Sequence, residues 1–342
     1  MNSKEIIQRA IGLEPTPRIP VSLLSAGAWT LNQSGLTLEQ ALAETPERIA
    51  EVIAKTNDAA GCDIVWPGSG YHNLAIRGVG GKIKFRVKGT PDVQEPLLKE
   101  LSDIGRVRIE QVREDAGICV LVGAAGALAK QIGSRTVVGT SQWAPFTLGG
   151  LAFGVERLMR SLYKDKAAVH AVMEFATELC IAYLEPFIDA GVSMISLADP
   201  TASGDLVSRE QFREYSLPYL TRVAARIKAR GVWGVVHICG NTTNRLDLVP
   251  LAGADIMSFD YKVNLADARR ILGGHIAFAG NMNPVVVMQK QTPEGVAASC
   301  AHCIEQASGK SGGYIVMPGC DIPPSVPLAN VKAMVQAAHR YN

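Results

Sequence analysis

His237 and Cys239 stand two residues apart, and Cys320 lies far down the chain. In a strand, a spacing of two puts both side chains on one face, and Gly240 then lets the backbone turn away. One imidazole and two thiolates are soft donors, a set that suits Zn2+ better than Mg2+ or Ca2+. A structural zinc site fills four protein positions, whereas a catalytic one keeps a position open. No fourth Cys or His sits directly at a comparable strand end; His72 is the nearest, some residues into a loop. The count therefore favours an open position for a substrate atom. The plain alternative is a satisfied histidine with two cysteines packed in a core.

Other polar residues follow apolar runs in the same way. Asp199, Asp260 and Asn281 are expected to orient the ligands or contact substrate, the alternative being that they cap helices. His72 is expected to be solvated rather than to line the site. Trp29, Trp143 and Phe146 fall near the same end and are either core or the walls of a flat pocket. Cys300 and Cys303 are spaced for one face of a helix, where packing explains them better than a metal. Gly78-Val79-Gly80-Gly81 lacks the strand and helix that a nucleotide loop needs.

The elements that must position these residues read as eight short strands. They are Ile19–Leu24, Asp63–Trp66, Thr136–Thr140, Met194–Leu197, Trp233–His237, Ile256–Phe259, Ile276–Ala279 and Tyr314–Met317. Nearly all are apolar throughout, as strands covered on both faces are. Helices lie between them. Thr45-Pro46 opens one that Gly61 closes. Ser208-Arg209-Glu210-Gln211 is a capping box. Thr292-Pro293-Glu294 starts a helix expected to run to about Ser308, and Asp165 to Gly191 reads as a long helix interrupted near Pro186. Alternating strands and helices predict an α/β fold, a (β/α)8 TIM barrel forming a single domain over residues 1–342. Residues 67–135 fit the repeat poorly and are treated as an insertion after the second strand plus a helix. Within them, Lys82–Val87 alternates like a hairpin strand, and Ile118–Val122 is either a strand or the start of a helix.

The 342 residues are 47% apolar and 19% charged, which excludes wholesale disorder. Lys plus Arg number 34 against 32 Asp plus Glu, so nothing marks a nucleic-acid or membrane-surface partner. The start shows no signal-peptide apolar stretch, and the apolar run Ile118–Ala129 is too short to span a bilayer. Seven cysteines, an odd number in a long chain, argue against a disulfide framework. The expected compartment is the cytoplasm.

The chain resembles the uroporphyrinogen decarboxylase superfamily, and within it the methylcobamide:thiol methyltransferase branch. His237, Cys239 and Cys320 match that branch's His-x-Cys…Cys zinc signature. Ala198-Asp199-Pro200, Ser203-Gly204-Asp205, Ser216-Leu217-Pro218-Tyr219 and Gly280-Asn281-Met282-Asn283-Pro284 are further landmarks, and the similarity runs from about residue 3 to 340. The resemblance implies a zinc-dependent methyltransferase that moves a methyl group between a methyl-corrinoid, carried by a corrinoid-binding protein, and a zinc-activated small thiol. A second possibility is transfer from a methylated small molecule, a methoxyarene or methylamine, to the corrinoid. A third is a decarboxylase of the uroporphyrinogen type, or a non-catalytic barrel with an incidental metal. The decarboxylases present an arginine near the end of the first strand, whereas Leu24–Trp29 here holds no basic residue. Asp63 lies near their functional aspartate, and equally could face the core.

Overall fold

The computed structural model describes residues 1–272, 274–307 and 312–341. Its framework is a curled parallel sheet of seven strands: β1 (Ile64–Val65), β4 (Val137–Trp143), β5 (Met194–Ala198), β6 (Trp233–Ile238), β7 (Ile256–Phe259), β8 (Ala277–Met282) and β9 (Tyr314–Pro318). Two further short strands, β2 (Ile83–Lys84) and β3 (Asp92–Val93), pair antiparallel outside it. Each strand of the large sheet pairs in parallel with the next in sequence order, so all their carboxyl ends lie on one side.

Both faces of these strands are apolar, and the two faces feed two separate cores. Ile64, Val137, Met194, Val235, Ile256, Ala277 and Ile315 pack together on the inner face. Val65, Val138, Ile195, Val236, Met257, Phe278 and Val316 join the larger core. Neighbours in sequence thus alternate between cores, as a period of two requires. Ile7 and Ala10 of the helix Ser3–Ile11 join the inner core, and that helix contacts β4 and β9. Polar residues, including His237, Ser141 and Ser258, occupy the inner face nearer the carboxyl ends.

The segment expected as a first strand, Ile19–Leu24, forms a single bridge, Val21 to Val316. The sheet therefore has seven strands where eight were expected. Pro20 has no N–H to give a ladder, and Val21 N donates to the Asp63 carboxylate (2.9 Å) instead. The segment still ties the sheet's two outer strands. Ser22 N donates to Val316 O (2.9 Å), Val316 N to Pro20 O (2.9 Å) and Asp63 N to Val21 O (2.8 Å).

Helix ends fall close to where the sequence marks them. Thr45 caps Pro46–Ala60, which ends at Gly61 in a left-handed conformation. Ser208 closes a capping box with Gln211, and Thr292 caps Pro293–Gln306. The expected end of that last helix, Ser308, lies outside the described residues. Lys166–Asp189 is continuous through Pro186, contrary to the expected interruption. Proline so near the helix end forfeits one hydrogen bond, and the buried face that includes Tyr183, Leu184 and Phe187 holds the last turns in place. This helix has the length and apolarity of a bilayer span, but 61% of its apolar window is buried within the fold. Residues 67–135 hold a short helix (Leu74–Gly78), the β2–β3 ribbon, two 3-10 turns and the helix Ala116–Ile132. Ile118–Val122 is therefore helical.

Candidate metal centre

His237 lies near the end of β6, in register with Ala198 of β5 and Ser258 of β7. Val235, two residues earlier, packs on the inner face, so His237 and Cys239 project to that face as well. Gly240 then turns with φ +83°, and a Cβ there would come within 2.4 Å of Ser203 Oγ. Only glycine fits that turn. From β9, Gly319 passes so close to Tyr261 N that a Cβ would lie 2.5 Å from it, and this approach carries Cys320 toward β6.

The structure gathers the three expected ligands. His237 Nε2 lies 3.0 Å from Cys239 Sγ, and Cys239 Sγ lies 3.2 Å from Cys320 Sγ. All three donor atoms fall within 4.8 Å of one another. Tetrahedral zinc with two sulfurs and one nitrogen wants donors about 3.5–3.8 Å apart, so small side-chain movements suffice. His237 is buried whereas both cysteines are partly exposed. The Cys320 thiol is pulled well below its usual range, first by the hydrogen bond from Cys239 and then by His237. Cys239 is pushed up by the same hydrogen bond and by burial.

Sequence spacing missed one partner. His237 Nδ1 lies 3.0 Å from Ser258 Oγ, and the serine is buried. A proton on Nδ1, donated to Ser258, leaves the Nε2 lone pair facing the sulfurs. Ser258→Ala should therefore weaken zinc binding by about tenfold, read by competition with a chromophoric chelator, because the ring loses the group that fixes its orientation. Unchanged affinity would show that Ser258 does not hold the ring.

The other expected polar residues divide. Asp260 lies close enough to push the Cys239 thiol upward, and its Oδ1 accepts from Lys262 N (2.9 Å). Asn281 Nδ2 donates to the carbonyls of Asp260 (3.1 Å) and Val263 (2.6 Å), fixing the turn that carries Asp260. Asp199 is fully buried and faces another way. Its Oδ1 accepts from Thr147 N (2.8 Å) and Thr147 Oγ1 (2.7 Å), and its Oδ2 from Ser216 Oγ (2.9 Å). It caps the helix Pro145–Phe153, whose own N-cap, Ala144, has no side-chain acceptor. Burial raises its carboxyl to about 6.

His72 is buried, not solvated as expected: its Nε2 lies 2.7 Å from Ser141 Oγ and its ring sits against Trp143. Trp29 and Phe146 are core residues, and Trp143 is partly exposed. Cys300 and Cys303 are buried on the helix Pro293–Gln306, which packs against Leu328–Arg340. Asp63, at the amino end of β1, accepts both Arg18 amino groups (2.5 and 2.8 Å) and lies away from the cysteines' end of the sheet.

The uroporphyrinogen decarboxylase (URO-D) profile matches residues 2–341. The chain belongs to the uroporphyrinogen decarboxylase family. Its relatives in that family fall on both sides of the chemistry. A methylcobamide:CoM methyltransferase of Methanosarcina mazei is 29% identical over 342 residues, covering 99% of this chain and 98% of that protein. A uroporphyrinogen decarboxylase of Anaeromyxobacter dehalogenans is 28% identical over 348 residues, covering 96% of each. The solved structure of a methyltransferase from Methanosarcina mazei superposes with TM-score 0.87 at 22% identity, covering 99% of this chain and 98% of that one, and so shares the fold. Overall identity does not separate the two activities within the family; the residues at the sheet's carboxyl end must.

Proposed function

We propose that the chain is a zinc-dependent methyltransferase that moves a methyl group from a methyl-corrinoid, borne by a partner protein, to a small thiol. The observation that carries this is the buried His237 joined by two partly exposed cysteines, three soft donors within 4.8 Å of one another. The methylcobamide:CoM methyltransferases among the relatives support it. Zinc bound there would supply Lewis acidity, keeping a substrate thiol deprotonated at neutral pH.

The chain's own residues do the rest. His237, steadied by Ser258, and the two cysteines would hold the metal, three protein ligands where zinc takes four. Asp260 and Asn281 set the turn beside them. The substrate sulfur would take the methyl group from the corrinoid substrate, the cobalt–carbon bond breaking with its electron pair left on cobalt as the thioether forms. No proton need move at that step if the thiol has already lost its own. A cytoplasmic setting would keep Cys239 and Cys320 reduced.

The test supplies methylated corrinoid proteins and a panel of thiols to the zinc-loaded chain. Loss of the methyl-cobalt spectrum together with thioether formation, absent from metal-free protein, is the expected result. Failure with every corrinoid and thiol, or equal activity without metal, would overturn the proposal. Methyl transfer from a methoxyarene or methylamine to Co(I) would instead establish the opposite direction of traffic.

A further inference from the structure

The strand register joins His72 to the metal centre. Trp143 of β4 pairs with Ala198 of β5, and Ala198 pairs with His237 of β6. Ala198 and His237 stand an even number of residues after Met194 and Val235, which pack on the inner face, and Ser141, the partner of His72, stands four after Val137 on that face, whereas Trp143 packs against the larger core. Two strand spacings put the Trp143 and His237 backbones roughly 10 Å apart. Ala198, a small and partly exposed residue, stands between them in the register.

At the Trp143 side, His72 is held by two contacts. Its ring centroid lies 4.4 Å from that of Trp143, and Nε2 lies 2.7 Å from Ser141 Oγ. Trp143 is itself fixed by Nε1 donating to Asn73 Oδ1 (2.7 Å), and Asn73 donates to Pro91 O (2.7 Å). The ring is thus held at one nitrogen and one face, and its remaining nitrogen is left over. His72 Nδ1 is buried and has no hydrogen-bond partner. A buried polar atom without a partner costs free energy, and a ligand group is one way to recover it.

We infer that His72 Nδ1 receives the far end of the substrate thiol, and that this end is an uncharged hydrogen-bonding group such as a hydroxyl or carboxamide. The inference rests on the proposed thiol chemistry and names the class of thiol. The groups that contact the His72 ring, Ser141 and Trp143, are neutral, and so is Asn73 behind them. Burial pushes the His72 ring down to about 4, so it is neutral at physiological pH. Arg245, the one fully buried cation among the described residues, gives its terminal amino groups to the carbonyls of Ala202 and Val207 (2.7 Å each). A neutral imidazole beside a tryptophan is poor company for a sulfonate or carboxylate, whose desolvation it does not offset. It suits a hydroxyl, which can donate to it or accept from it. A site built to hydrogen-bond such a group discriminates against the analogue lacking it.

The experiment uses Co2+ in place of zinc, because a bound thiolate gives cobalt an absorption band that reports binding without turnover. Ethanethiol, 2-mercaptoethanol, 3-mercaptopropanol and 2-mercaptoethanesulfonate are titrated in turn. A hydroxyl-tailed thiol should bind at least about tenfold more tightly than ethanethiol and more tightly than the sulfonate. His72→Leu should erase that preference while cobalt stoichiometry and ethanethiol affinity stay unchanged. His72→Gln, which keeps a hydrogen-bonding tip, should retain part of it and serves if the leucine variant fails to fold. Tighter binding of the sulfonate, or a preference that survives His72→Leu, would overturn the inference while leaving the thiol chemistry standing. If cobalt binds and no thiol changes its spectrum, the thiol chemistry itself falls, and this inference with it.

Discussion

Replacing Cys320 with serine should empty the metal centre. The variant keeps His237 Nε2 and Cys239 Sγ but loses the donor whose thiol the site holds furthest toward the anion. A serine hydroxyl is not ionised at neutral pH and is a harder, weaker ligand for zinc. Loss of an outer partner alone costs 10- to 100-fold in metal affinity, so loss of a ligand should exceed about a hundredfold. Zinc content after passage over a chelating column measures this directly. Replacing both Cys300 and Cys303 with alanine is the matched control. Those thiols are buried on a helix and outside the three-donor grouping, so full zinc content should persist with at most a loss of stability. Full zinc in the Cys320→Ser protein would remove that cysteine from the site.

Asp199→Ala should be among the most destabilising single substitutions in the chain. It leaves Thr147 N, Thr147 Oγ1 and Ser216 Oγ without their acceptor in a fully buried place. Orphaned buried donors cost about 1–3 kcal/mol each, and partial relaxation should bring the total to about 3 kcal/mol, measured by urea unfolding at neutral pH. The acid also marks itself through pH. Its folded value, raised from 3.8 to about 6, means that the folded chain keeps a proton the unfolded chain has released. Its contribution to stability therefore falls as pH rises through that interval and is greatest below it. Asp199→Ala should remove this component of the pH profile between about 4 and 6. A variant with wild-type stability and profile would show that the carboxylate does not hold the helix Pro145–Phe153.

That His237, Cys239 and Cys320 come together was legible in the sequence because two physical signals coincide there. Period-two spacing placed His237 and Cys239 on one face of a strand, and the run before Pro318-Gly319 placed Cys320 at another strand's end. What could not be read is register. Ser258 meets His237, and Ala198 lies between His237 and Trp143, only because neighbouring strands align at those residues, which no single strand's pattern specifies. His72 looked like a solvated loop residue because its loop is rich in glycine and polar side chains; the burial comes from Trp143 and Ser141, distant in sequence. The first expected strand failed for a local reason. Its β-like composition was overruled by Pro20, which has no donor, and by the Asp63 carboxylate, which takes the N–H of Val21. Asp199 was expected to orient ligands, contact substrate or cap a helix; two of its three bonds run to Thr147 of a helix whose own N-cap has no side-chain acceptor, and the third to Ser216.

The central claim is that a substrate thiol becomes a ligand beside His237, Cys239 and Cys320. X-ray absorption at the zinc edge tests it most directly, comparing the zinc-loaded protein before and after a saturating small thiol. The account predicts two sulfurs and one imidazole nitrogen with a light fourth neighbour at first. On adding thiol, a third sulfur at about 2.3 Å should replace that light neighbour. An unchanged sulfur count in protein that still transfers methyl groups to the thiol would contradict it.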